Sequence, residues 1–196
     1  MQRKEHAIKE NKRVVFPNEI IFFDTETTPF QIDDIKTSHT LRLGVACYLR
    51  KRKDIKAPTT EWLTFRDKAS FWQWVVSKSR PKSKLIITAF NLSFDMTVMQ
   101  AFKFMREHGY KLLNLYQKGS TVIITFRNGN RSILFLDTCN FFKGSLRKWG
   151  ELIGYPKTEV DFKTVSDEDL EKHCQRDVEI VVKLWEYWFT FLKEHN

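Results

Sequence analysis

The run Ile20-Ile21-Phe22-Phe23, followed at once by Asp24-Thr25-Glu26-Thr27-Thr28, is the strongest constraint on how this chain folds. Four consecutive apolar residues, two β-branched and two aromatic, read as a buried strand. The strand ends in two carboxylates at a spacing of two. A strand has period 2, so Asp24 and Glu26 leave the same face at its end. Like charges so placed cost free energy unless a cation sits between them. Hard divalent ions such as Mg²⁺ and Mn²⁺ take oxygen ligands of this kind. Asp-x-Glu is common by chance, so the pair gains meaning from what the rest of the chain adds.

The hydrophobic pattern predicts strands over 19–26, 41–49, 61–65 and 85–90, with a basic hairpin or loop over 50–56. Helical spacing appears at Phe71, Trp74 and Val75, with Asp67 as a cap. A helix is expected over 94–108, ending at Gly109. Strands follow over 111–116, 121–127 and 132–137, the last two joined by Asn128-Gly129-Asn130 as a tight hairpin. A short helix is expected over 145–153, closing at Gly154. Ser166-x-x-Asp169 resembles a capping box that opens a long helical stretch, broken once at most, to Glu194. Early strands, then alternating strand and helix, then a hairpin and helices predict an α/β architecture with a mixed sheet. Residues 1–18 read as a flexible basic arm, and 19–196 as one domain.

A net charge of +9 suits a polyanionic partner, although solubility alone accounts for a basic surface equally well. Arg50, Lys51, Arg52 and Lys53 read either as a grip on a phosphate backbone or as a solvated loop. Cys47, Cys139 and Cys174 are widely spaced with no C-x-x-C, which argues against a disulfide framework and structural zinc and leaves buried or idle thiols. No apolar run is long enough to span a membrane, and the charged N-terminus lacks a secretory signal. A cytoplasmic chain, or a piece of a larger cytoplasmic protein, is expected. The Phe- and Trp-rich helical segments around Phe71, Trp72, Trp74, Trp185, Trp188, Phe189 and Phe191 have core spacing. His6, His39, His108 and His195 receive no role.

Two further acidic sites stand in informative settings. Asn91-Leu92-Ser93-Phe94-Asp95 follows a strand and opens a helix, so Asp95 falls in the first turn. An acid there favours the helix dipole, and Asn91 can serve as a cap. In His173-Cys174-Gln175-Arg176-Asp177 the i, i+4 spacing puts His173 and Asp177 on one helical face. The helix turns apolar after Asp177, so that face lies near the start of a core-packed helix.

Asp-x-Glu, then Asn-x-x-Phe-Asp, then His four residues before Asp resembles the three motifs of the DEDD 3′→5′ exonucleases, a superfamily with a ribonuclease-H-like fold. The chain is most similar to the N-terminal exonuclease domain of protein-primed family B DNA polymerases. Ser145-Leu146 resembles that family's single-stranded-DNA motif, and Lys157-Thr158-Glu159-Val160 a catalytic lysine motif. The likeness covers residues 19–190. It implies metal ligands Asp24, Glu26, Asp95 and Asp177 for two Mg²⁺ or Mn²⁺ ions, with His173 and Lys157 completing the catalytic set. It also implies substrate contacts from Thr27, Asn91, Phe94, Ser145, Leu146 and Phe162. The implied partners are single-stranded DNA or frayed 3′ ends, RNA as an alternative, and a polymerase domain in the same or another chain. The implied product is a nucleoside 5′-monophosphate. One departure stands out: proofreading domains usually carry Tyr where this chain has His173, a substitution that resembles the DEDDh branch. A DEDDh exoribonuclease, a structure-specific endonuclease and a non-catalytic nucleic-acid-binding accessory module are the rival readings.

Overall fold

Strand β1, Glu19–Gln31, forms from the apolar run and shows why that run is unbroken. Its alternate residues enter two cores. Ile21 and Phe23 point into one, with Phe71, Trp72 and Val75 of helix α1 (Lys68–Lys78). Ile20 and Phe22 point into the other, with Cys174, Val178, Val181 and Trp185 of helix α5 (Asp167–Glu194). A strand covered on both faces reads as continuous hydrophobicity rather than alternation. Each fully buried Phe contributes on the order of 1.5–3 kcal/mol. The computed structural model describes residues 16–52, 57–119 and 121–195.

Among the described residues the sheet has seven strands, in the order β3 (Thr59–Phe65), β2 (Thr37–Arg50), β1, β4 (Lys84–Thr88), β7 (Arg131–Leu136), β6 (Thr121–Asn128) and β5 (Lys111–Lys118). Strands β2 (Thr37–Arg50) and β3 (Thr59–Phe65) extend it by antiparallel pairing from β1. Helix α1 carries the chain to β4 (Lys84–Thr88), which lies parallel to β1. Helices α2 (Leu92–Val98) and α3 (Ala101–Glu107) precede an antiparallel meander: β5 (Lys111–Lys118), β6 (Thr121–Asn128) and β7 (Arg131–Leu136). Strand β7 returns parallel to β4. A 3₁₀ turn at Thr138–Asn140 and helix α4 (Leu146–Leu152) lead into α5. This mixed sheet flanked by helices is the α/β class expected, and it agrees with a ribonuclease-H-like fold.

The parallel strands β1, β4 and β7 bring their carboxyl ends to one edge. Pairing of β1 with β4 ends at Phe22↔Thr88, so Asp24 and Glu26 project beyond the end of β4. The crevice outside the carboxyl ends of such strands is where open α/β sheets bind ligands.

Several elements differ from expectation. The helix expected over 94–108 is two helices. The chain breaks at Gln100, whose φ of 52° is left-handed, and the Trp72 indole N–H donates to the Met99 carbonyl at 2.8 Å. That tertiary bond takes up a carbonyl near the helix end, and both Met99 and Ala101 enter the core. Helix α5 runs unbroken for 28 residues, with Ser166 Oγ accepting from the Asp169 N–H at 3.1 Å. Of the arm expected over 1–18, residues 1–15 lie outside the described residues. Phe16 packs edge-on against Phe189 of α5 at 5.1 Å between centroids. Residues 53–56 of the basic loop also lie outside the described residues. Arg50 faces the buried carboxylate of Glu19, and Lys51 lies over the Phe189 ring at 5.1 Å. Both stand by the start of β1, seven residues (roughly 23 Å of extended strand) from Glu26, so they do not flank the carboxylates.

Candidate active site

Because Ile20 and Phe22 face α5, the pleat delivers Asp24 and Glu26 to the same side and turns Thr25 to the opposite one. On α5, His173, Cys174 and Asp177 lie within about one turn of each other, and all three are buried. The Cys174 thiol donates to the Asp24 main-chain oxygen at 3.4 Å and lies 3.5 Å from Asp24 Oδ2. His173 Nε2 stands 3.9 Å from Glu26 Oε1, and its Nδ1 pairs with Thr158 Oγ1 at 2.9 Å. Asp177 Oδ2 forms an ion pair with the Lys157 ammonium, while Asp177 Oδ1 is buried with no hydrogen-bond partner among the described residues. Two groups of potential ligand atoms lie within 4.8 Å of one another: Asp24, Glu26 and Cys174, and Glu26, His173 and Asp177. Glu26 belongs to both.

A β-bulge between Glu26 and Thr27 leaves Arg42 as the extra residue on β2. Its guanidinium donates to Asp167 Oδ1 and to the Val165 carbonyl, each at 2.9 Å. The bulge thereby ties the start of α5 to the strand pair that carries the carboxylates.

Asp95 arrives from the other face. The Thr25 hydroxyl donates to Asp95 Oδ1 at 2.6 Å in a buried contact. Asp95 adds to the charge felt at Asp24 but belongs to neither ligand group. The first turn of α2 that carries Asp95 is fixed by Asp137, a buried carboxylate that accepts from the Asn91, Leu92 and Cys139 N–H groups at 3.2, 3.0 and 2.9 Å. Asn91 occupies the cap position with left-handed φ of 67° and makes no side-chain capping bond, so its exposed amide is left for other use.

The electrostatics follow from crowding acids with little water. Burial, with Asp95, Asp177 and Glu26 adding, raises Asp24 well above the usual carboxylate range; Lys157 opposes. Burial and Asp177 push Glu26 up to about 7 against Lys157 and Arg42. Burial takes Asp95 to about 7 despite the bond from Thr25, and raises Asp177 despite Lys157. Burial also lowers His173, which favours the neutral ring. An oxygen-rich set that resists full ionisation, with one buried carboxylate oxygen unpartnered, fits a hard divalent cation. Asp24, Glu26 and Asp177 are the residues that would hold it, with Asp95 beside them.

The other residues singled out in the sequence surround this cluster unevenly. Thr27 Oγ1 pairs with His39 Nδ1 at 2.9 Å, and the His39 ring meets Phe94 edge-on at 5.4 Å. His39, which the sequence left without a role, links the two. Phe94 is 37% and Phe162 56% exposed, and the Phe162 ring stands edge-on to His173 at 5.6 Å. Leu146 is buried in the core beside α5. The Ser145 hydroxyl accepts from the Lys148 N–H at 3.3 Å to cap α4. Asn91 and Asp137 line a cleft of about 580 Å³ that reaches Gln117 and Gly119 of the β5–β6 hairpin.

No protein-family model and no curated protein matches the chain. Among solved structures, "Phi29 DNA polymerase complexed with single-stranded DNA" superposes on it with a TM-score of 0.58 and 12% identity. The match covers 92% of this chain and 32% of that one, so the chain spans about a third of that polymerase's length. The relationship is distant and establishes likeness of fold. Among the described residues no helix is long and apolar enough to cross a membrane.

Proposed function

We propose that the chain is a metal-dependent 3′→5′ exonuclease that hydrolyses single-stranded DNA to 5′-mononucleotides. The observation that carries this reading is the convergence, from segments about 150 residues apart, of Asp24 and Glu26 with Cys174 and of Glu26 with His173 and Asp177, while Asp177 Oδ1 has no partner among the described residues. Asp24, Glu26 and Asp177, joined by Asp95 on release of its bond from Thr25, would hold two Mg²⁺ or Mn²⁺ ions, which when bound would lower the pKa of water and offset charge on the leaving oxygen. With Nδ1–H donating to Thr158 Oγ1, the Nε2 of neutral His173 accepts the proton of the attacking water. The contact with Thr158 holds the ring orientation. Lys157, anchored on Asp177, would donate to the scissile phosphate and stabilise its growing charge. Exposed Phe94 and Phe162 offer faces to unpaired bases, worth roughly 1–3 kcal/mol per stacked base. Asn91 and Thr27 supply hydrogen bonds, and Ser145-Leu146 shape the wall near α4.

The bound single strand in the distant structural neighbour supports a nucleic-acid substrate. By the same likeness, a polymerase domain in this or another chain is the proposed working partner.

The test is degradation of a 5′-labelled single-stranded oligonucleotide with Mn²⁺. Stepwise shortening from the 3′ end that is absent in Asp24→Ala and blocked by a 3′ cap supports the proposal. Equal digestion by the parent and Asp24→Ala, or none by either, overturns it. Preference for an RNA oligonucleotide transfers the reading to exoribonuclease, and internal cuts in a capped substrate transfer it to endonuclease.

A further inference from the structure

Cys174 is buried, as the sequence reading allows, but its sulfur does not meet apolar groups alone. A buried cysteine is ordinarily a small hydrophobe, and most of the neighbours of α5 in its core are apolar. The sulfur of Cys174 instead lies against Asp24, 3.4 Å from its carbonyl oxygen and 3.5 Å from Oδ2. It also lies within 4.8 Å of the ligand oxygens that both Asp24 and Glu26 offer. The helix accounts for the placement: Cys174 is three residues before Asp177, so both side chains descend on the same end of β1. Asp177, within ligand distance of the Glu26 that this group shares, keeps one buried oxygen without a partner among the described residues.

We propose that Asp24, Glu26 and Cys174 form a binding site for a thiophilic divalent cation of the Zn²⁺ class. The cation competes there with the hard cations that the same two carboxylates would otherwise hold. Two carboxylate oxygens and one sulfur supply three ligands of the kind Zn²⁺ takes in tetrahedral sites, leaving the fourth position to solvent. Magnesium does not favour sulfur, whereas Zn²⁺, Cd²⁺ and Co²⁺ accept it. On binding, the metal–sulfur bond replaces the S–H bond, and the proton leaves to solvent. Occupation withdraws Asp24 and Glu26 from the geometry that hydrolysis needs. This last consequence rests on the exonuclease reading; the binding itself does not.

The experiment uses the full chain without nucleic acid. Cadmium is titrated while the thiolate-to-metal charge-transfer band is followed, in the wild type, Cys174→Ser and the double variant Cys47→Ser/Cys139→Ser. One equivalent should produce the band in the wild type and the double variant, and none in Cys174→Ser. X-ray absorption on the zinc-loaded wild type, which needs no variant to fold, should show one sulfur at about 2.3 Å from the metal. A sulfur-free zinc shell, or a band that persists without Cys174, overturns the proposal. In the Mg²⁺-supported nuclease assay, Zn²⁺ inhibition of Cys174→Ser should need about 10–100-fold more zinc than that of wild type. A sulfur-bearing zinc site in a protein that digests nothing keeps the cation site and removes the exonuclease reading.

Discussion

Glu26 gives the sharpest prediction, because its carboxyl is the ligand shared by both groups and is held near 7 by burial and by Asp177. Its unfolded value is 4.5. A carboxyl that binds its proton more tightly when folded stabilises the fold fully below pH 4.5. It loses that contribution as pH rises from 4.5 to about 7. The whole span is on the order of 3 kcal/mol, and between pH 5 and 7.5 the share lost is about 2 kcal/mol. Solvent reaches 13% of the side chain, which places the true figure at or below this. Asp24 and Asp95 act with the same sign. His173 acts with the opposite one, since a lowered imidazole returns stability as pH climbs toward 6.5. The comparison that isolates Glu26 is therefore between the wild type and Glu26→Gln, unfolded by urea in chelator at both pH values. Wild type should lose about 2 kcal/mol more than Glu26→Gln, or roughly 4–8 °C in Tm for a chain of this size. Millimolar Mn²⁺ should stabilise wild type more at pH 7.5 than at pH 5, because its ligands must shed protons to bind it. Equal pH dependence in the two proteins, or Mn²⁺ stabilisation as large at pH 5, refutes this account of the site.

Three other outcomes follow from the same geometry. His173→Ala should slow oligonucleotide digestion by about 10²–10⁴-fold while Mn²⁺ still raises Tm, a split that rate and melting measurements together reveal. Asp137→Ala removes the acceptor for three backbone N–H groups. It should cost about 2–4 kcal/mol in urea unfolding, and it should also slow digestion by loosening the turn that carries Asp95. Gly44→Ala would drive its Cβ into the Phe65 ring and to within 2.9 Å of the Asp24 carbonyl. It should destabilise by about 1–3 kcal/mol, with partial recovery on adding Phe65→Leu.

What could be read from the sequence follows the range of the forces involved. Strand β1, the hairpin at Gly129 and the caps at Asp67 and Ser166 rest on neighbours a few residues away, so local pattern locates them. Asp24 with Glu26, and His173 with Asp177, were legible as pairs because strand and helix periods fix which residues share a face. Bringing the two pairs together required the fold. The break at Gln100 depends on Trp72, 28 residues earlier, and the fixing of α2 depends on Asp137, 46 residues after Asn91. Neither partner leaves a mark in local spacing. Ser145-Leu146, read as a DNA-contacting motif, caps α4 and enters the core, roles that the same two residue types serve equally well. His39 was passed over because its partners, Thr27 and Phe94, lie on other elements.

The opposition between a basic chain and an acidic centre then has a physical resolution. On the proposed function, a net charge of +9 would draw a polyanionic substrate of any sequence, with an attraction that salt weakens. At the centre the sign reverses: four carboxylates are opposed chiefly by the Lys157 ammonium, beside a ring kept neutral by burial. A phosphate brought there by the outer charge would be repelled by the inner one. Proton uptake by Glu26 and Asp95 relieves the repulsion among the acids only below about pH 7, and a neutralised carboxyl is a poor metal ligand. A divalent cation resolves both conflicts together, since it takes the place of those protons and offers the phosphate a positive partner. On the proposed function, the basic chain and the buried acids are therefore compatible near neutral pH when cation and nucleic acid arrive at the same end of β1, where the carboxyl ends of the parallel strands leave the crevice open.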